Sequence, residues 1–535
     1  MGEGGDGVVE RSAFELGSPA MEEEERSNGG GGGGVSTMRL TSYAYTTVLL
    51  AAVGGLLFGY DIGVIGGCLT LGGFRETMGW PPAIEECGVD RPPEPVQVSF
   101  EQGWITSAFM FGCFAASPLA GYCADRFGRW STVMLGTIIF FVGGALQTGA
   151  NGVALMIAGR AVSGLSIGIL STVVPLYIAE VSPASLRGSL VTLQQLGITF
   201  GILVAFCVNL FVQKVIPRDW GWRISLGGQC VIALFMGVGM LFMPETPRYL
   251  AWKGRLEEAK AVLRKLRGSD QESVLLAEVL EIEKEVEEVK TQNSSWAELF
   301  SRKLMLTMLV GIFIPTISQF SGINALMLYS ATLFDNLCLS GITMTAIVGV
   351  VNFVFTFVAV FFSDKGGRKP LLLTGASGMI FGLVAAAAIL WTIDPSENKA
   401  AANATVFLIL FFIANYASTW GAVASWIIPS EVFPIRIRGK AIGLATMGNW
   451  SANIIVAFLT PILIRPDVAN VSGTFMFYAS FLIVAIPFVV CLVPETKGVP
   501  LEEMEEKFSK PLGQHVKTCI SDLRRRPKKC EALPK

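Results

Sequence analysis

The chain has 535 residues, 52% of them hydrophobic and only 16% charged, with a mean hydropathy of +0.54. Soluble domains carry about 25% charged residues, so this balance excludes a water-soluble protein. A formal net charge of −2 gives no signal of a nucleic-acid partner, and ten scattered cysteines without CxxC or Cys/His spacing, beside a single histidine, His515, indicate neither a disulfide framework nor a zinc site.

Residues 1–40 are rich in Gly and Glu, with six consecutive glycines at Gly29–Gly34, and read as a disordered tail without a cleaved leader. Hydrophobic runs of about 20 residues then recur along the chain, each long enough to cross a hydrocarbon core of about 30 Å as a helix. Barrel strands are shorter and alternate, so the fold class is an all-α integral membrane protein. Twelve spans are predicted, near 44–66, 103–123, 130–149, 153–178, 189–212, 222–243, 304–333, 342–363, 370–392, 405–428, 440–464 and 473–493. Most of the 41 Lys and Arg fall on one side of this alternation, which places both termini in the cytoplasm.

The first span ends in GGLLFGYDIGVIGG, Gly54–Gly67, with Asp61 inside it. A carboxylate at membrane depth is expensive and marks function by default, a structural role being the lesser alternative. The stretch 68–102 is Pro-rich and is expected to cap the outer mouth, with Cys87 in it lacking an outside partner. GYCADRFGR (121–129), PLYIAEVSPASLRG (175–188) and PETPR (244–248) return as SDKGGRK (363–369), SEVFPIRIRG (430–439) and PETKG (494–498), at separations of 239–251 residues. Two homologous six-span halves are therefore expected, 41–243 and 304–493, suited to rocking against each other. Between them, 244–303 reads as a polar cytoplasmic helical linker, and 494–535 as a cytoplasmic tail whose basic run at Arg524–Arg526 suits anionic lipid. Asn403 and Asn470 lie in outside N-x-S/T sequons, which makes a glycoprotein possible; Asn293 is a sequon on the inside.

IPTISQFSGINALMLY, Ile314–Tyr329, sets Gln, Ser and Asn in an apolar span, and such groups need either interhelical partners or a polar ligand. With QQLGITFG, QFSGIN, PLYIAEVSP, both PET motifs, SEVFP and GNW in order, residues 40–510 resemble the sugar porter family of the major facilitator superfamily, most of all its plant and algal proton-coupled hexose symporters. The resemblance implies twelve helices in two pseudo-symmetric bundles around a midplane sugar site. It assigns Gln195, Gln319, Asn324, Asn352, Trp426 and Asn449 to the sugar, with Ser318 standing where the family commonly has a second glutamine. Amides and an aromatic ring suit a hexose, which offers hydroxyls and a CH face. In TWGAVASW the expected proline is missing and the spacing is one residue longer than usual, which leaves the break in the tenth span and the placing of Trp426 open.

The resemblance also makes Asp61 the proton acceptor and Arg160 its partner, since protonation would break the pair and bias the conformation. It implies import of a monosaccharide and protons across the plasma membrane without a cofactor; the alternatives are a passive hexose uniporter or a sugar sensor, and no enzyme motif is present. Asp125, Arg126, Arg129, Glu180, Arg187 and Glu245 in the first half, and Asp364, Arg368, Glu431, Arg438 and Glu495 in the second, are expected to gate the inner side through salt bridges, with Arg248 and Lys369 in the same network.

Overall fold

The computed structural model describes residues 41–82, 94–183, 186–268, 271–291, 296–337, 339–393, 398–434, 436–497, 499 and 501–523. The expected disordered tail (1–40), Cys87, Asn293 and the basic run at Arg524–Arg526 lie outside them.

Among the described residues twelve helices are long and apolar enough to span a bilayer. They are α1 (Ser42–Cys68), α2 (Val96–Phe127), α3 (Arg129–Thr148), α4 (Val153–Val181), α5 (Thr192–Val215), α6 (Arg218–Met240), α7 (Met305–Asn336), α8 (Gly341–Ala359), α9 (Arg368–Thr392), α10 (Lys399–Val432), α11 (Arg438–Leu463) and α12 (Asn470–Leu492). Helices dominate because lipid offers no partner for backbone N–H and C=O groups, so each span must satisfy its own.

With an even number of spans, the start of α1 and the end of α12 share one end of the bundle, the near end. The halves meet along α2 with α11, α5 with α8, and α1 with α7. The first two pairings exchange when the halves are interchanged, as a pseudo-twofold requires.

The repeated PET motifs have a physical role. The turn at Gly128 starts α3 and the turn at Gly367 starts α9, and each new helix exposes unpaired backbone N–H groups. Glu245 accepts from the amides of Arg129 (3.1 Å) and Trp130 (3.2 Å), and Glu495 accepts from those of Arg368 (2.9 Å) and Lys369 (3.2 Å). A carboxylate at a helix N-terminus is favoured by the helix dipole, so each half is pinned by the end of its own sixth span.

At the far end the halves are closed against each other. Arg465 donates to the Glu94 carbonyl at 3.0 Å, and Thr106 of α2 shares a 2.6 Å hydrogen bond with Tyr329 of α7 and donates to the Ala457 carbonyl of α11 at 3.2 Å. A short helix, Gly72–Thr77, buries Phe74 and Arg75 beneath this closure, and Arg75 pairs with Glu94. Gly66 of α1 faces the Leu328 carbonyl so closely that an added Cβ would sit 2.5 Å from it. Overpacking of this kind costs about 1–3 kcal/mol. Gly66→Val is therefore expected to disfavour far-end closure by roughly ten- to a hundredfold and to lower uptake with protein levels at the membrane preserved, as read by surface labelling beside uptake.

The linker folds back on the near end. Helices Pro247–Trp252, Leu256–Arg267 and Glu272–Thr291 bury Leu263, Leu266, Leu275 and Val279, and Arg267 donates to the Val181 carbonyl at 2.9 Å while pairing with Glu278 at 2.8 Å. It is thus docked rather than solvated all round. The tail forms two further helices, Leu501–Ser509 and Leu512–Asp522, and buries His515 with its ring nitrogens 3.0 and 2.9 Å from the carbonyl oxygens of Lys507 and Leu492.

Candidate functional site: a polar seam between two bundles

The break in α7 positions the first group of side chains. The helix is interrupted at Phe320–Gly322, and Gly322 takes φ +88°, a left-handed conformation that costs other residues roughly 1–2 kcal/mol. The interruption leaves Gln319 and Asn324, five residues apart, facing the same neighbours on α11. Gln319 donates to Asn449 Oδ1 at 2.8 Å and accepts from Asn324 at 2.8 Å, while Asn324 also donates to Asn453. Asn453 in turn donates to the Asn449 carbonyl at 3.2 Å. Asn453 escaped the sequence reading, although it lies one helical turn beyond Asn449 on the same face of α11.

A second group crosses between the halves. Trp426 of α10 donates from its indole N–H to Gln195 Oε1 of α5 at 3.0 Å. Gln194, beside it, is buried and packs against Gly55 of α1. The open question about the tenth span is settled by helix geometry: α10 contains two π-helical turns, Tyr416–Trp420 and Val423–Ile427. A π turn holds more residues than an α turn, so the longer spacing is absorbed by widening rather than by a proline break.

The same widening brings the Tyr416 hydroxyl to 3.2 Å from Ser318 Oγ, both buried. Asn352 is buried on α8 along the α5–α8 seam, where Phe353 meets Phe200 with ring centroids 5.5 Å apart. Among the described residues its side chain bonds to neither amide group.

Toward the far end, Asp61 and Arg160 form an ion pair with both side chains wholly buried. Arg160 also donates to the carbonyls of Asp61 (3.1 Å) and Ile105 (3.3 Å) and lies over the Phe109 ring, 4.7 Å from its centroid. Gln147 of α3 completes the site, donating to Asp61 Oδ1 at 3.4 Å and to Ser163 Oγ at 2.7 Å. No motif marks Gln147 in the sequence.

The near-end charges form one cluster in each half. Arg129 pairs with Glu180 at 3.0 Å and with Asp125 at 3.1 Å, and Thr246 donates to Glu180 at 2.6 Å. Arg368 pairs with Glu431 at 2.8 Å, and Thr496 donates to Glu431 at 2.5 Å. Burial pushes the Glu245 carboxyl above its ordinary range, opposed by the N–H groups of Thr246, Trp130 and Arg129 that favour its charge.

Three charges fall elsewhere. Lys369 donates to the carbonyls of Val490 (2.8 Å) and Cys519 (2.7 Å), because the residue after Arg368 on a helix points about 100° away from it. Arg248 pairs with Glu285 of the linker at 3.2 Å, and Arg438 donates to the Phe433 carbonyl at 3.3 Å. Arg126 is exposed, and the side chains of Arg187 and Asp364 lie outside those described.

Two six-helix bundles joined along a polar seam, with a closed far end, define a membrane transporter of the major facilitator fold. The profile described as "Sugar (and other) transporter" matches residues 47–508. The chain is 35% identical to sugar transport protein 12 of Arabidopsis thaliana, over 87% of this chain and 92% of that one. It is 34% identical to the H(+)/hexose cotransporter 1 of Parachlorella kessleri, over 88% of each. Its structure is similar to that of the xylose transporter of E. coli in a partially occluded inward-open conformation, with a TM-score of 0.71 and 27% identity over 86% of this chain and all of that one. The chain belongs to the sugar transporter family.

Proposed function

We propose that the protein imports a monosaccharide, a hexose such as glucose, together with protons by alternating access. The observation that carries this reading is the wholly buried Asp61–Arg160 pair: a protonatable acid held beside a fixed charge inside a membrane bundle is what coupling needs, whereas passive sugar passage has no use for it. The relatives named for proton-linked and hexose transport support it. Gln195, Gln319, Asn324, Asn352, Trp426 and Asn449 are the sugar contacts in this reading, and Ser318, with Tyr416 behind it, replaces an amide by hydroxyls of shorter reach.

The near end faces the cytoplasm, as the bias of Lys and Arg favours, and the membrane is the plasma membrane. Closure of the far end then makes this the inward-facing state. The near-end clusters of Arg129, Asp125, Glu180 and Glu245, and of Arg368, Glu431 and Glu495, act as gates by presenting firm, charged helix ends that meet when the near side closes. Asn403 and Asn470, both exposed, are the sites open to glycosylation.

Uptake of a panel of labelled sugars by cells lacking their own hexose transport, measured at two external pH values, tests the proposal. The expected result is hexose uptake that is faster at the lower pH and abolished by a protonophore. Uptake indifferent to both makes the protein a uniporter; no uptake with intact surface expression leaves a sensor.

A further inference from the structure

The surroundings of Asp61 contain polar capacity that the ion pair does not use. Gln147 is wholly buried, and among the described residues its Oε1 has no hydrogen-bond partner; nor does Nη2 of Arg160. A buried acceptor left unmade is costly, so an unfilled Oε1 beside a titrating carboxylate calls for a reason. A neutral amide gives a hydrogen bond from one end and takes one at the other, and half a turn about its last bond exchanges the two.

We infer that Gln147 is the positioning residue that lets Asp61 hold either protonation state. With Asp61 ionised, the Gln147 N–H donates to Oδ1, as in this structure. When a hydronium ion from the aqueous side protonates the carboxylate, its O–H bond breaks, water is left and an O–H bond forms on Asp61; the amide turns, and Oε1 accepts a hydrogen bond from the new hydroxyl. Ser163 follows without moving, because its hydroxyl accepts from the amide N–H in the first state and donates to Oε1 in the second. Arg160 then loses its counter-charge but keeps the carbonyls of Asp61 and Ile105 and the face of Phe109. Among the described residues, the other ionisable groups around the pair are the thiols of Cys113 on α2 and Cys68 at the end of α1 and the phenol of Tyr329 on α7, with Tyr60 of α1 and Cys230 of α6 beyond them. In their ordinary forms all five are neutral near pH 7, so the amide is what answers the change of charge.

The inference rests on the proton-coupled reading, and the test separates the two. Full-length wild type, Gln147→Leu and Gln147→Asn are expressed in hexose-transport-deficient cells, and initial uptake of a labelled hexose is followed across external pH. Gln147→Leu loses both bonds, but the one to the ionised carboxylate is charge-assisted and the stronger of the two, so the protonated form is favoured on balance and the midpoint of the pH profile moves to higher pH by about one unit, a tenfold change in proton affinity. Gln147→Asn, which keeps the amide, restores a midpoint nearer wild type. With Asp61→Asn as background, Gln147→Leu has no pH profile left to move.

A Gln147→Leu midpoint equal to wild type overturns the inference, as does an equal shift in Gln147→Asn and Gln147→Leu. If Gln147→Leu fails to reach the membrane, Gln147→Met, close in shape and without the amide, is read in the same way. A wild type without any pH dependence instead overturns the coupling itself.

Discussion

Asp61→Asn is expected to reduce steady-state accumulation of a non-metabolised hexose analogue from about 50-fold to about onefold at a membrane potential of about 100 mV. Moving one charge through that potential is worth about 2.3 kcal/mol, and about 1.4 kcal/mol is a factor of ten in concentration. Asn keeps the size of the side chain and a hydrogen bond to Arg160 but cannot exchange a proton, so sugar still equilibrates while the gradient no longer drives it. The inside-to-outside ratio after long incubation, with and without protonophore, measures this. An Asp61→Asn protein that still concentrates sugar in a protonophore-sensitive way would show that the proton is carried elsewhere, and that Asp61–Arg160 is a structural pair.

The second large effect is expected at Gln319, which links Asn324 to Asn449 and so centres the amide cluster. On the proposed reading Gln319→Ala removes one sugar partner, and it leaves Asn449 Oδ1 without its donor and Asn324 with Asn453 alone, at a cost of about 1–3 kcal/mol. The expected result is a KM raised roughly ten- to a hundredfold with little change in maximal rate. The competing account is interhelical glue, worth on average about 0.6 kcal/mol, or less than threefold. A KM within threefold of wild type, alongside a lowered melting temperature, would therefore assign the cluster to stability instead of binding.

The spans and the twofold repeat were legible in the sequence because each depends on local properties: a run of apolar residues long enough for the bilayer, and motifs recurring at constant spacing. Much of the pairing was legible too, since Arg129 with Glu180 and Arg368 with Glu431 are fixed by equivalent places in two halves. What escaped reading depends on which face of a helix meets which neighbour. Lys369 follows Arg368 in an unbroken basic motif, yet one residue of helical rotation takes it to carbonyls near the tail. Gln147 lies 86 residues from Asp61 and meets it only through the packing of α3 against the rest of the half. The linker and the tail looked polar overall, and the few leucines that dock the linker, and the histidine that docks the tail, are too sparse to outweigh the surrounding charge.

The widened turns of α10 have a consequence for how such a chain can change length. In a regular helix one extra residue rotates everything beyond it by about 100°, which would carry Glu431 off the side facing Arg368. In this chain Trp426 still reaches Gln195 and Glu431 still meets Arg368, so the longer spacing is accommodated between Tyr416 and Ile427 without re-registering the helix on either side. Insertions and deletions, normally confined to loops, are thereby admitted into a membrane span at the seam between the halves, where a single added residue can remodel local side-chain contacts while the rest of the bundle keeps its packing.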